Sequence, residues 1–479
     1  MSAPVDRGPF RGAQVPQEPA RSGGFTGLAV LLAVCVYAVA LPLGLASGDY
    51  DIIAGLIVAP IILGISLPIL RRVTAKEEPW VRRVIVAGLY LKLLGAGIRY
   101  FVTFSVLGVG DARLYHISGA ALAKAFRGFD FTGQTYNEEI PKLVGTPFIR
   151  LVTGIIYTVS PSAELSGFMI FSWLGFWGLF LLYRAFRIGV PDGNARRYSV
   201  LIFFLPSLVF WPSSIGKESW MLLCLGIVAY GAAKIFTYGR YGFALVALGL
   251  WGTAMVRPHV TLIAFLALSV GYILRPARTG KQQSAPGRKI VGIVVLIVIG
   301  ALVVSRTQSF FGVDNLDTGT ADQITAEVEG QTEQGTSEFE TTRPSSPLQY
   351  PGAVVGVLFR PFPWESGNVL AAFAALEGVV VLVLLLNPRR FRMIPRAFVR
   401  RPYVAFSVTF AALFVYAFSA IGNFGILTRQ RTQVLPFVLV LAALPLAIPW
   451  VAKPYVPGNR SLREPPPTPP GLGPRKRPD

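Results

Sequence analysis

Long apolar runs alternate with short polar segments along most of the chain. Runs of about 18 or more apolar residues have the length needed to cross a bilayer as helices. A further apolar stretch, 147–159, is too short to span and predicts a surface-lying or re-entrant helix. The predicted fold is therefore all-α, a polytopic transmembrane helical bundle of about twelve spans: 25–46, 52–70, 84–108, 165–186, 197–211, 216–236, 240–256, 259–274, 290–305, 366–387, 403–421 and 433–451.

The ends and two internal segments depart from this apolar pattern. Residues 1–24 and 453–479 are rich in Pro and polar residues and predict disordered cytoplasmic ends around a transmembrane domain at 25–452. The first end lacks a signal-peptide pattern, so the first apolar run is expected to stay as an anchor. The polar segment 109–164 predicts an amphipathic surface helix, and the acidic segment 306–365 predicts a mobile loop.

Charge fixes the expected orientation. The chain is 53% hydrophobic and 15% charged, with a formal net charge of +20. Every second connecting segment is basic, and together with the two ends these segments hold 31 of the 45 Lys and Arg residues. Cytoplasmic loops of membrane proteins are basic in this way, so both termini are predicted to be cytoplasmic and no nucleic-acid partner is expected. Cys35 and Cys224 lie inside apolar runs, which argues against a disulfide framework.

The stretch "GDARLYHISGAALAKAF" at 110–126 places polar groups at the start of the predicted surface helix. Asp111 and Tyr115 are four residues apart and share a helix face, and His116 follows. A carboxylate there is a candidate general base towards a hydroxyl. The alternative is that Asp111 only caps the helix N-terminus.

Three further clusters fall on the same predicted outer side of the membrane. Clustered Arg and Lys side chains suit a phosphate or diphosphate, whereas surface charges and snorkelling arginines are the simpler interpretation. His116 and His259 are the only histidines and have no metal-ligand spacing, so the metal question is left open. The candidate phosphate-binding residues of these clusters are Lys217, Arg257, His259, Arg429 and Arg431, and the candidate sugar contacts are Tyr115, His116 and Glu218.

Two cations lie inside a predicted span rather than beside one. Lys92 and Arg99 are seven residues apart and share a helix face. Charged groups at membrane depth are costly, so both are expected to point into the bundle or towards a wet cavity. Arg360 and Glu365 lie at another predicted outer edge.

Three motifs resemble those of bacterial membrane glycosyltransferases of the GT-C superfamily, near the exopolysaccharide polymerases and protein-mannosyltransferase-like enzymes. They are "GDARLYH", "LPSLVFWPSSIGKESW" and "RQRTQVLPF". The resemblance implies a polyprenyl-phosphate- or polyprenyl-diphosphate-linked sugar donor used on the extracytoplasmic face. It also implies Asp111 as catalytic base or acceptor-orienting group, and phosphate binding by Arg429 and Arg431.

The chain departs from this pattern at one point. Many relatives carry paired acids at the first outer site, whereas Ala112 follows Asp111 here. A second acid would have to come from Asp130, Glu138 or Glu139, or be absent. No cofactor is assigned, and participation of a divalent metal is left open.

The sequence thus predicts a glycosyltransferase or polymerase in the bacterial plasma membrane, acting on a glycan or lipid-linked acceptor to build a cell-surface glycan. One alternative is a transporter or flippase of a lipid-linked saccharide, for which Lys92 and Arg99 would line the path. Another is a glycan ligase of the GT-C_B type, which would depend on outer arginines and a histidine without the first-loop acid.

Overall fold

The computed structural model describes residues 37–446, apart from 40, 43, 106–109, 141, 239–240, 276–343 and 345. Over these residues every regular element is a helix, which agrees with the all-α prediction. Both predicted disordered ends, the span predicted at 290–305, most of the span at 25–46 and most of the acidic segment lie outside the described residues.

The helices are numbered here in chain order. A single 3₁₀ turn, Pro363–Glu365, lies between α12 and α13. The α-helices are α1 Tyr50–Val73, α2 Pro79–Ser105, α3 Asp111–Arg127, α4 Gln134–Glu139, α5 Thr146–Val159, α6 Glu164–Gly189, α7 Ala195–Phe204, α8 Pro206–Phe210, α9 Lys217–Tyr238, α10 Phe243–Ala254, α11 Pro258–Ile273, α12 Tyr350–Phe359, α13 Val369–Leu385, α14 Pro388–Phe391, α15 Ile394–Arg400, α16 Pro402–Phe418, α17 Phe424–Arg431 and α18 Leu435–Ala442.

Four of the described helices, α1, α2, α6 and α9, are long and apolar enough to cross a membrane. A fifth is added if α13 and the segment 388–400, which bends away from it by 65°, form one span. The spans predicted at 240–256, 259–274 and 403–421 correspond to the shorter apolar helices α10, α11 and α16. The count of twelve spans therefore stays a prediction.

The longest helices approach each other through glycine. A Cβ added at Gly226 of α9 would overlap the backbone of Gly178 in α6, and a Cβ at Gly178 would overlap the carbonyl of Leu222. Small residues let two helix backbones pack this closely, as in membrane helix pairs. This contact fixes α9, whose first residues belong to the candidate site.

The surface helix α3 packs against α5 in the same way. A Cβ added at Gly119 would overlap Thr153, and one at Gly154 would lie 2.7 Å from Leu122 Cβ. The two helices therefore approach most closely at these two glycines. Leu114 and Ile117 lie on another face and are about half exposed, at 52% and 54%. The predicted short apolar helix at 147–159 is α5.

The span predicted at 197–211 is broken into α7 and α8. Pro206 begins α8, and a proline has no N–H and clashes with the preceding turn, so a helix breaks there. Leu205 between the two helices is extended, with φ −63° and ψ 124°. The chain then turns at 211–216 and enters α9, so the orientation of α8 sets where this turn lies.

Candidate functional site

Asp111 is the first residue of α3, and Gly110 occupies the N-cap position without a side-chain hydrogen bond. The alternative that Asp111 is the helix cap is therefore wrong. Its carboxylate Oδ2 lies 4.0 Å from Nη1 of Arg429 in α17, and the two side chains are 66% and 32% exposed. An ion pair this exposed contributes little stability. The carboxylate consequently remains accessible from outside the protein.

Glu218 and Arg257 form the buried counterpart of this pair. Arg257 Nη2 donates to Glu218 Oε1 at 3.2 Å, and the side chains of Arg257 and Glu218 are only 10% and 13% exposed. Glu218 is the second residue of α9, and Arg257 takes the N-cap position of α11. Removing either partner would leave a buried charge without compensation, which is strongly unfavourable. The pair therefore ties the start of α9 to the start of α11.

The two pairs belong to one electrostatic cluster. Lys217, the first residue of α9, interacts with the charges of Arg257, Glu218, Asp111 and Arg429. The structure thus brings together residues from the four segments that the sequence singled out separately. We call Asp111, Lys217, Glu218, Arg257 and Arg429 the charged cluster.

Tyr115 lies one helical turn after Asp111 and is buried at the edge of the charged cluster. Its ring approaches Gly216, where an added Cβ would lie 3.8 Å from Tyr115 Cε2. Burial, reinforced by the negative charges of Asp111 and Glu218, raises the pKa of Tyr115 above its ordinary value of 10.0. The phenol is therefore protonated at neutral pH and can donate a hydrogen bond to a substrate oxygen.

His116 points to a different neighbourhood from Tyr115. Its Nδ1 lies 3.0 Å from the hydroxyl of Tyr157, which itself donates to Ala163 O at 2.9 Å. Because the hydroxyl has only one proton, His116 must donate from Nδ1, leaving Nε2 as an acceptor. Burial lowers the pKa of His116 below 6.5; the nearby Asp51 carboxylate opposes this shift and Arg113 adds to it.

His259 and Arg431 were predicted as phosphate ligands, and the structure places them differently. His259 is half-buried and packs against Phe418, with ring centres 5.8 Å apart, next to the charge of Arg257. Arg431 turns away from Asp111: its Nη1 donates to Leu358 O at 2.8 Å and its Nη2 to Arg360 O at 2.6 Å. Arg431 thus joins α17 to the end of α12.

The three acids proposed as a partner for Asp111 each have other contacts. Asp130 accepts from the N–H of Gly133, Glu138 accepts from Gln134, and Glu139 pairs with Arg150 at 3.2 Å. Glu218 is the second acid that the structure supplies to the cluster. Within the described residues there is no group of three or more His, Cys, Asp or Glu side chains placed to hold a metal ion.

Lys92 and Arg99 share a face of α2, as predicted, but their environments differ. Lys92 has no exposed surface, and its Nζ lies 2.5 Å from Pro212 O and 2.8 Å from Ser213 Oγ. Arg99 lies close enough to the charged cluster for the charges of Arg429 and Glu218 to act on it. The sequence did not assign Arg99 to this cluster, because the path of the 211–216 turn around α2 is a tertiary feature.

Comparisons with protein-family models, curated proteins and solved structures give no match to this chain. The residues of the charged cluster are therefore the only basis for inferring its chemistry. The exposed carboxylate of Asp111 lies beside three cations, and Glu218 is the one other acid of the charged cluster. Two of these cations are guanidinium groups, the buried one of Arg257 and the half-buried one of Arg429. Such a site can accept a proton from a hydroxyl and hold a phosphate.

Proposed function

We propose that this protein is a membrane glycosyltransferase or polymerase. It transfers a sugar from a polyprenyl-phosphate- or polyprenyl-diphosphate-linked donor to a hydroxyl of a glycan or lipid-linked acceptor, building a cell-surface glycan. The supporting observation is the 4.0 Å separation of Asp111 and Arg429 beside Lys217 and Arg257. Transfer from a phosphate leaving group requires a base and phosphate-binding cations in adjacent positions.

In the proposed reaction the acceptor hydroxyl oxygen attacks the anomeric carbon of the donor, and its proton passes to the Asp111 carboxylate. The bond between the anomeric carbon and the phosphate oxygen breaks, and the electron pair stays on that oxygen. Arg429, Lys217 and Arg257 stabilise this developing charge. Direct displacement inverts the anomeric centre.

Tyr115 and Glu218 support this chemistry from the edge of the site. The protonated phenol of Tyr115 donates to a sugar hydroxyl. Glu218 holds Arg257 by the 3.2 Å ion pair and so keeps that guanidinium from turning away. Since Glu218 already serves Arg257, Asp111 is the better base of the two acids.

The proposal includes the twelve-span topology, with both termini cytoplasmic and the charged cluster at the outer face of a bacterial plasma membrane. In this orientation α3 lies along the outer surface with Leu114 and Ile117 towards lipid, as amphipathic interfacial helices do. The basic connecting segments then face the cytoplasm. The carrier phosphate would reach the cluster at headgroup depth.

The alternative of a saccharide transporter has less support. It would need Lys92 and Arg99 in a cavity that opens alternately to both sides. Lys92 has no exposed surface and is held by backbone carbonyls, so it cannot line a path without breaking these contacts. An acid exposed at one end of the bundle suits transfer better.

Asp111→Asn tests the proposal in cells. The lipid-linked saccharide on each membrane leaflet and the surface glycan are measured together, with Asp130→Asn, an acid in the same segment outside the cluster, as the control. Transfer predicts that Asp111→Asn loses surface glycan and accumulates the intermediate on the outer leaflet. Lipid-linked intermediate retained on the inner leaflet would indicate that the protein is a transporter. A normal amount of surface glycan would contradict the role of Asp111 as base and would favour a glycan ligase that does not need this acid.

A further inference from the structure

Arg99 is a cation with no acidic side chain in contact among the residues that the structure describes. It is about nine-tenths buried, and its Nε and Nη1 atoms have no hydrogen-bond partner among the described residues. Its Cζ instead lies 4.7 Å from the ring centres of both Phe210 and Trp211. Two aromatic rings hold the guanidinium in place while leaving donors unused. A buried guanidinium with unused donors is unfavourable unless an anion completes it.

Lys92 shows that the same helix can satisfy a buried cation completely. Its Nζ is within hydrogen-bond distance of three carbonyls and one hydroxyl. Arg99 lies two turns further on the same face and receives no such set of acceptors. The contrast indicates that Arg99 is not merely a structural cation.

The second unsatisfied guanidinium is in the charged cluster. Nη1 of Arg257 is also buried without a hydrogen-bond partner among the described residues, while Nη2 holds Glu218. Arg99 and Arg257 both interact with Arg429 and with Glu218. Like charges gathered at low dielectric repel each other strongly, so an anion between them would relieve a cost that the protein alone bears.

The charges suggest how large that anion is. With all groups ionised, the four cations Arg99, Lys217, Arg257 and Arg429 face two carboxylates, Asp111 and Glu218, within the described part of the chain. Two positive charges remain. A sugar linked through a monophosphate diester carries one negative charge, whereas one linked through a diphosphate carries two. Only the diphosphate neutralises the charged cluster together with Arg99.

We infer that the site is built for an isoprenoid diphosphate rather than a monophosphate, and that Arg99 is the residue that binds the second phosphate. This rests on the proposed function for the identity of the saccharide, but the headgroup can be tested separately. Arg99 supplies a planar fork of donors suited to two phosphate oxygens. Phe210 and Trp211 hold that fork in one orientation before the ligand arrives.

The test uses the full-length protein in lipid nanodiscs and three probes: farnesyl diphosphate and farnesyl monophosphate, each carrying a glucosyl ester so that they bear two negative charges and one, respectively, and inorganic pyrophosphate. Binding is followed by isothermal titration calorimetry. The variant is Arg99→Gln, and the matched control is Arg82→Gln, an exposed arginine near the other end of the same helix. We expect the wild type to bind farnesyl diphosphate at least about tenfold more tightly than either other probe, from the extra charge-assisted hydrogen bonds.

Arg99→Gln should lose about tenfold or more in affinity for farnesyl diphosphate but keep its affinity for the monophosphate within about threefold. Arg82→Gln should match the wild type. Equal loss for both lipid probes, or no loss for either, would overturn the role of Arg99. Equal wild-type affinity for the two lipids would overturn the diphosphate preference without any variant. Pyrophosphate binding as tight as farnesyl diphosphate would overturn recognition of the lipid carrier.

These outcomes are independent of the proposed transfer reaction. If Asp111→Asn keeps normal surface glycan while Arg99→Gln loses the diphosphate preference, the headgroup inference stands and the transferase proposal fails. If Asp111→Asn abolishes glycan while Arg99→Gln binds as the wild type does, the transferase proposal stands and the headgroup inference fails.

Discussion

Lys92 and Glu377 hold opposite ends of one short helix. Nζ of Lys92 lies 3.3 Å from Leu208 O in the last turn of α8 and 2.5 Å from Pro212 O in the turn that follows it, and Oε2 of Glu377 accepts from Ser207 N at 2.6 Å at the N-terminal end of α8. Both side chains are buried. A carboxylate at the N-terminus and a cation at the C-terminus match the helix dipole and satisfy backbone groups that a broken helix leaves open.

Replacing Lys92 with Met should destabilise the protein and disturb the candidate site together. Met fills similar volume but donates no hydrogen bond, so the carbonyls at the end of α8 lose their donor within the bundle. We expect the free energy of unfolding to fall by about 3 kcal/mol, measured by SDS titration in mixed micelles. Because the 211–216 turn is held by this contact, the inferred diphosphate binding should weaken as well.

Lys76→Met is the control for this change, since Lys76 is exposed in the segment between α1 and α2. It removes the same charge and should alter unfolding by less than about 0.5 kcal/mol. An unfolding free energy for Lys92→Met equal to that of Lys76→Met would show that α8 does not depend on the buried cation.

The apolar pattern predicts the four longest helices, α1, α2, α6 and α9, because each is one long run of mainly apolar residues. It misses the break at Leu205, although Pro206 is visible in the sequence, because the apolar run continues through it. The contacts of Arg431 could not be predicted in the same way. Arg429 and Arg431 were grouped by proximity, but residues two apart on a helix point about 200° apart, and only packing decides which one meets Asp111.

The close contact of α3 with α5 should make Gly119 sensitive to a single methyl group. An added Cβ there would overlap Thr153, whereas one at Gly97 in α2 would have nothing within 4 Å. Gly119→Ala is expected to cost about 1–3 kcal/mol in unfolding free energy. Gly97→Ala should be neutral or stabilising by up to about 1 kcal/mol.

Surface-glycan yield should follow the same order, since shifting α3 moves Asp111 relative to Arg429. Cells carrying Gly119→Ala should make less glycan per molecule of protein than cells carrying Gly97→Ala. Equal stability and equal yield for the two variants would mean that α3 does not rest on α5 as closely as the structure shows.

His116 should make stability depend on pH. Burial lowers its folded pKa below the ordinary value of 6.5, so between these two pKa values the unfolded chain binds more protons than the folded one. Stability is therefore complete above pH 6.5 and declines as the pH falls through that window. We expect the wild-type melting temperature to drop between about pH 7.5 and about pH 5.5.

His116→Asn isolates this contribution from that of other titrating groups. Asn places a donor near the position of Nδ1, so the hydrogen bond to Tyr157 can persist without a titrating ring. The drop in melting temperature should be smaller in the variant than in the wild type. An identical drop in both proteins would assign the pH dependence to groups other than His116.

Exchanging the charged residues at positions 111 and 429 distinguishes the proposed catalytic role of Asp111 and Arg429 from a purely structural ion pair. Under the proposed mechanism, each single variant, Asp111→Arg and Arg429→Asp, should reduce glycan synthesis by about a hundredfold or more, because one removes the proposed base and the other a proposed phosphate ligand. The double variant restores opposite charges at the 4.0 Å contact, and its stability should match that of the wild type within about 1 kcal/mol. Its activity should stay as low as that of the single variants, since the base would then stand on α17 and the cation on α3. Recovery of glycan synthesis in the double variant would mean that the two residues only hold α3 and α17 together, and that the proton is taken elsewhere.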